Sequence, residues 1–118
     1  MSRSAQISFS NRIAPSELSD SDRVLEDAAR KFRILAAPIR LKIVHCLCHG
    51  EQNVAYLLGK IDTTQSNMSQ HLNALYLAGM LAKRRDGVKI YYRIADQQIA
   101  QLCKAVCIEV ENKLLARA

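Results

Sequence analysis

The chain has 118 residues, a formal net charge of +6 and about half of its residues hydrophobic. That length suits one domain with a real core, and so apolar a composition excludes disorder throughout. The charge favours an anionic partner such as nucleic acid; no run reads as a membrane span or secretory signal, so a cytoplasmic protein without membrane association is expected.

Residues 1 to about 20 are rich in serine, carry Asn11 and Pro15, and show no sustained period. They read as a flexible N-terminal tail in which Arg3 and Arg12 are candidate phosphate contacts. Residues 21–118 are expected to form the folded domain. From Ser21 to Ala37 an apolar stripe of Val24, Leu25, Ala28, Ala29, Phe32, Leu35 and Ala36 predicts a helix. Asp22 stands near its start and Arg30, Lys31 and Arg33 come later, as the helix dipole prefers. Pro38 suits the first turn of a second helix, running to about Cys48 and ended by Gly50. Ile39, Ile43, Cys46 and Leu47 share one face of it, with Leu41, His45 and Cys48 roughly opposite. Val54, Leu57, Leu58 and Ile61 predict a short third helix.

The stretch Asp62–Ile94 carries the most information. Thr64 is a suitable N-cap for a helix whose first turns hold Gln65, Ser66, Asn67, Ser69, Gln70 and His71, while Met68, Leu72, Leu75 and Leu77 recur at roughly helical spacing. Small polar groups at a helix N-terminus suit the edges of bases in the major groove. At most three or four of the six are expected to touch bases, and His71 has a second reading as a packing residue beneath the helix. A hairpin turn at Asp86-Gly87 follows, with Val88, Ile90 and Tyr92 alternating against Lys89, Tyr91 and Arg93. Five of the seventeen Lys and Arg lie between Lys83 and Arg93, against the single acid Asp86. Arg84, Arg85, Lys89 and Arg93 are candidate phosphate contacts; Lys83 is one too, or is merely solvated. Asp96 then caps a last helix marked by Ile99, Leu102, Val106, Val110 and Leu114. The sum is a mainly α fold with a small β-hairpin, in the order α-α-α-α-β-β-α: a winged helix-turn-helix.

The runs FRILAAPIRLKIVHCL, GEQNVAYLLGKI, TTQSNMSQHLNALYLAGML and RRDGVKIYYRIAD resemble the ArsR/SmtB family of bacterial repressors, over about Val24 to Val110. The resemblance implies a homodimer that binds double-stranded operator DNA and lets go when a small inducer binds, with the first and last helices forming most of the dimer interface. It also implies where inducers act. Metal sensors of the family carry cysteines in the third helix, where this chain has Asn53 and Ala55. A second family metal site on the last helix falls on Asp96, Gln98, Glu109 and Asn112, two of them amides and so poor for zinc. In a branch that senses persulfides or oxidants, paired cysteines occupy positions that here hold His45 and Glu111.

All four thiols nevertheless sit on those two elements, Cys46 and Cys48 on the second helix and Cys103 and Cys107 on the last. A structural disulfide framework is not expected in a reducing compartment. Cys46 reads as a small buried hydrophobe on the core face, whereas Cys48 lies near His45 and Cys107 one turn before Glu111. The primary expectation is a thiol switch of Cys48 with Cys107, with Cys103 and then Cys46 as further members, driven by reactive sulfur or an oxidant and requiring no cofactor. The alternative is a metal or arsenite sensor with His45, Cys48, His49 and Cys107 as ligands, since thiolates select soft ions. Four ordinary buried thiols remain the plain reading. No Gly-rich phosphate loop, HExxH run or Ser–His–Asp set is present, so an enzyme is not expected.

Overall fold

The computed structural model describes residues 18–117, with side chains from 20 onward; the serine-rich tail, Arg3 and Arg12 lie outside the described residues. Helix α1 (Leu18–Leu35) starts earlier than its apolar stripe suggests. The chain divides into two compact units after Arg33, so α1 is described by itself. Ion pairs Asp20–Arg23 and Asp27–Arg30 line its polar side, while Val24, Leu25 and Phe32 are exposed.

The second unit contains α2 (Pro38–Leu47), β1 (Gln52–Asn53), α3 (Val54–Lys60), α4 (Gln65–Leu77), β2 (Leu81–Asp86), β3 (Lys89–Ile94) and α5 (Gln97–Arg117). Pro38 occupies the first turn of α2 as expected, and the helix stops at Leu47 because Gly50 takes φ 138 and donates its N–H to the Leu47 carbonyl. Ile43, Val44 and Leu47 of α2, Leu57 of α3, Met68, Leu72 and Leu75 of α4, and Ala100 and Cys103 of α5 meet in one core.

Helix α4 is delimited at both ends by local chemistry. The Asn67 N–H donates to Thr64 Oγ1 at 3.0 Å, so Thr64 is the N-cap that the sequence suggests. At the other end Gly79 has φ 78, its N–H donates to the Tyr76 carbonyl, and the Met80 N–H donates to the Leu75 carbonyl. This is a Schellman closure, and it buries Met80 where the chain turns into β2.

The sheet has three strands in the order β1-β3-β2, all antiparallel, where a two-stranded hairpin was expected. The added strand has only two residues, too few to show a period. Asn53 is half of it and also caps α3, accepting from the Tyr56 N–H at 2.8 Å. The hairpin loop is shifted by one residue from Asp86-Gly87. Asp86 still pairs with Lys89, so the loop is Gly87-Val88, with Gly87 at φ 66 in the first position, where a two-residue loop needs a positive φ. Val88 therefore stands in the loop, 97 % exposed; Ile90 and Tyr92 of the expected inner face are covered, and Tyr91 on the other face is half-buried as well. Asp96 caps α5 by accepting from the Ile99 N–H at 3.2 Å.

Leu72 is 1 % exposed at the middle of α4. Replacing it with alanine is expected to lower unfolding stability by about 2–5 kcal/mol, seen in urea denaturation as a lower midpoint with an unchanged slope.

Candidate nucleic-acid interface and thiol groove

The outward face of α4 is polar because its apolar residues are spent on the core. Gln65, Ser66, Ser69 and Gln70 are exposed, while Met68, Leu72 and Leu75 are buried beneath them. The other two sequence candidates face inward. Asn67 is half-buried and donates through Nδ2 to Thr63 Oγ1 at 2.9 Å, which holds the loop before the helix. His71 is half-buried, and its Nδ1 accepts a hydrogen bond from Arg40 Nε at 2.9 Å. Burial first, and the Arg40 charge second, hold the His71 imidazole below its ordinary pKa. Four side chains thus remain for base edges.

Sheet register decides what the wing cations do. Arg84 stands opposite Tyr91 on β3, and β1 lies on the far side of β3, so a long side chain at 84 crosses Tyr91 toward the start of β1. Its guanidinium stacks over the Tyr91 ring at 4.6 Å and grips Glu51 as a fork, Nε to Oε2 at 2.8 Å and Nη2 to Oε1 at 2.7 Å. The Arg84 hydrogen bond holds the Glu51 carboxyl below the usual range. Arg84 is therefore engaged within the protein and is not the free phosphate contact that charge alone suggests. Lys83 is engaged as well, its Nζ lying 4.4 Å from the centroid of the Tyr76 ring. Arg85, Lys89 and Arg93 are exposed and form no ion pair among the described residues. Gln65 and Ser69 of α4 share a hollow of about 320 Å³ with Lys89 and Val88 of the wing, so helix and wing border one surface.

A second feature lies between α2 and α5. An open, largely apolar groove of about 690 Å³ is lined by Leu41, Val44, His45, Cys48 and His49 of α2 and its end, and by residues of α5 that include Cys103, Lys104, Cys107 and Glu111. It brings together three of the four thiols with His45 and Glu111. Cys48 and Cys107 are exposed and Cys103 is buried. Burial pushes the Cys103 thiol pKa up, and the neighbouring Cys107 and Cys48 push it in the same direction. Cys46 lies outside the groove, packed against the core, and burial raises its pKa too, against a smaller opposing effect of Lys60. The alternative ligands His45, Cys48, His49 and Cys107 share the groove, but among the described residues no three His, Cys, Asp or Glu side chains converge to hold a metal ion. The residues as arranged do not fit a closed tetrahedral site.

Residues 37–83 match the family model described as "Bacterial regulatory protein, arsR family". A probable mercury resistance operon repressor of Streptomyces lividans is 35% identical over 88 residues, covering 74% of this chain and 70% of that protein. Among solved structures, the crystal structure of Mycobacterium tuberculosis Rv0081 is 36% identical with a TM-score of 0.68, covering 80% of this chain and 94% of that one. The solution structure of the homodimeric winged helix-turn-helix domain of Mb0332 from Mycobacterium bovis is 31% identical with a TM-score of 0.67, covering 76% and 83%. Among the described residues no helix is long and apolar enough to cross a membrane.

The fork between Arg84 and Glu51 has a direct readout. In an NMR titration Glu51 is expected to protonate below the ordinary glutamate range, and Arg84→Gln is expected to return it there, because the hydrogen bond from Arg84 is the largest cause of the shift.

Proposed function

Because the chain belongs to the arsR family of bacterial regulatory proteins, we propose that it is a homodimeric repressor that binds operator DNA through α4 and the β2–β3 wing, and that it leaves the operator when thiols of the α2–α5 groove are modified by reactive sulfur or an oxidant. The DNA role draws support from the exposed row Gln65, Ser66, Ser69 and Gln70 beside the unpaired cations Arg85, Lys89 and Arg93. The amides and hydroxyls read base edges, and the cations hold phosphates without reading sequence. The dimer draws support from the homodimeric Mycobacterium bovis neighbour and from α5, whose Leu102, Val106, Val110 and Leu114 are exposed in the single chain. Two-fold symmetry then sets two α4 helices in successive major grooves ~34 Å apart on an imperfect palindrome.

The single observation that carries the thiol reading is the convergence of Cys48, Cys103 and Cys107 on one groove between two helices. Cys48 and Cys107 are the reacting pair because both are exposed in the single chain, while burial disfavours the thiolate of Cys103. With a polysulfide, the Cys48 thiolate attacks a sulfane sulfur, breaks its S–S bond and becomes a persulfide, and the shortened polysulfide departs. The Cys107 thiolate then attacks the Cys48 sulfur and expels hydrosulfide, leaving a disulfide. One thiol proton leaves on the hydrosulfide and the other goes to solvent, while two electrons reduce one sulfane sulfur of the polysulfide to sulfide. A bond joining α2 to α5 alters the frame on which α4 rests. A bias of ~1–3 kcal/mol against the DNA-competent arrangement weakens binding roughly 5- to 150-fold.

Anisotropy with a duplex from the region upstream of the protein's own coding sequence tests both parts. A dimer that neutralises about eight phosphates should show a slope of log affinity on log salt near −7; a slope near zero contradicts DNA binding. Arg85→Gln and Lys89→Gln should each flatten that slope by about two, one phosphate per protomer, whereas Arg84→Gln should leave it unchanged. The Cys48→Ser, Cys107→Ser protein is expected to bind as wild type and to stay bound under polysulfide or peroxide. Continued release from that variant would remove the thiol mechanism, and intact mass of released wild type should show the disulfide as a loss of two hydrogens.

A further inference from the structure

Arg40 is half-buried in the first turn of α2, and both ends of its guanidinium are committed. Nε donates to His71 Nδ1 on α4 at 2.9 Å, and Nη1 donates to the Ile34 carbonyl at 2.9 Å. A guanidinium carries donors only, so His71 accepts through the Nδ1 lone pair and keeps its own proton on Nε2. That requires a neutral ring. Burial and the Arg40 charge both favour this state, and Arg40 is the charged group acting on the ring.

The position of His71 gives the bond its leverage. It stands between Met68 and Leu72 on one side and Leu75 one turn on, all buried, while Ser66, Ser69 and Gln70 point away. Methionine and leucine contacts hold α4 against the core but tolerate sliding, because dispersion has no direction. A part-buried hydrogen bond to a ring nitrogen is directional, and it fixes how far α4 is turned about its own axis. The residue after Arg40, Leu41, lines the α2–α5 groove together with Val44, His45 and Cys48. One helix therefore touches the groove with some residues and holds α4 with another.

Resting on the reading of α4 as the helix that enters DNA, we propose that Arg40 and His71 are a positioning pair that fixes the rotation of α4, aims Ser66, Ser69 and Gln70 at the base edges, and links the groove-lining helix to that face. Neither residue touches DNA. Protonating Nδ1 removes the acceptor and sets a second cation against Arg40, so the pair opens in acid. His71 is held below the ordinary value of 6.5, so the contact is intact above that value and is lost as pH falls through the lowered pKa.

The test compares anisotropy on the upstream duplex and on a scrambled duplex of equal length for Arg40→Gln, His71→Leu, His71→Gln and the Arg40→Gln, His71→Leu double variant. Arg40→Gln and His71→Leu should each lose roughly tenfold in the ratio of the two affinities, with the double variant no worse than either. Affinity for the scrambled duplex and its salt slope should not change, because phosphate contacts are untouched. His71→Gln, whose Oε1 can accept from Arg40, should restore most of the ratio and abolish the loss of preference that wild type shows as pH falls below neutral through the lowered His71 pKa. Loss of preference in both His71 variants with Arg40→Gln unaffected would make His71 a base contact and overturn the pair. An Nδ1-protonated His71 in nitrogen NMR of wild type, a measurement that needs no variant to fold, would overturn it as well. A wild type that prefers the upstream duplex while all variants match it refutes the pair alone. A wild type with no preference refutes the DNA reading and the pair together.

Discussion

Helix α2 has ten residues and must satisfy three sides at once, and the arrangement of everything else follows from how it does so. Ile43, Val44 and Leu47 fill the core against α3, α4, α5 and β3. Leu41, His45 and Cys48 face the groove shared with α5. Arg40, at the start, reaches α4. At 3.6 residues per turn, a helix can be apolar toward the core and chemically active on its flank only if those sets are not the same. Here they overlap at Val44 and Leu41, which both line the groove and pack against the core. Helix α4 is thus packed on an element whose other flank is open to solvent.

The winged-helix order and the start of α4 were legible in the sequence because each depends on local signals: Pro38, the Thr64 cap, the Asp96 cap and the apolar spacing of Met68, Leu72 and Leu75, although Leu77, expected to anchor the same face, is 74 % exposed at the helix end. The strand at Gln52–Asn53 was not, since two residues carry no period and their pairing with Tyr91 and Tyr92 is set across a long stretch of chain. The hairpin loop was misplaced by one residue for a related reason. Asp-Gly is the common turn signal, but here Asp86 keeps its cross-strand partner and Gly87 supplies the positive φ one position later. Composition named the polar candidates on α4 only as a set. Their division into outward and inward members needed tertiary partners, Thr63 for Asn67 and Arg40 for His71.

The wing shows why counting cations overstates an interface. Five basic residues in a short span suggest five phosphate contacts, yet Lys83 lies over Tyr76 and Arg84 is clasped by Glu51 across Tyr91. An exposed ion pair adds little to stability, typically ~0–1 kcal/mol, but a bidentate fork stacked on a ring confines both partners geometrically. The consequence is mechanical. It ties the far strand of the wing to the segment that follows α2, so the wing is carried by the same helix that carries α4.

Burial also sorts the thiols, which sequence spacing alone left nearly equivalent. Cys46 and Cys103 are drawn toward the core, where the thiolate is disfavoured, and Cys48 and Cys107 are left in the open on facing helices. Reactivity needs both access and the charged form, and access is what separates the two outer thiols from the two inner ones. That division leaves one exposed thiol at the end of α2, one on α5 and none on α4. Helix α2 meets α4 through the shared apolar core and, among the described side-chain hydrogen bonds, through the one from Arg40 to His71.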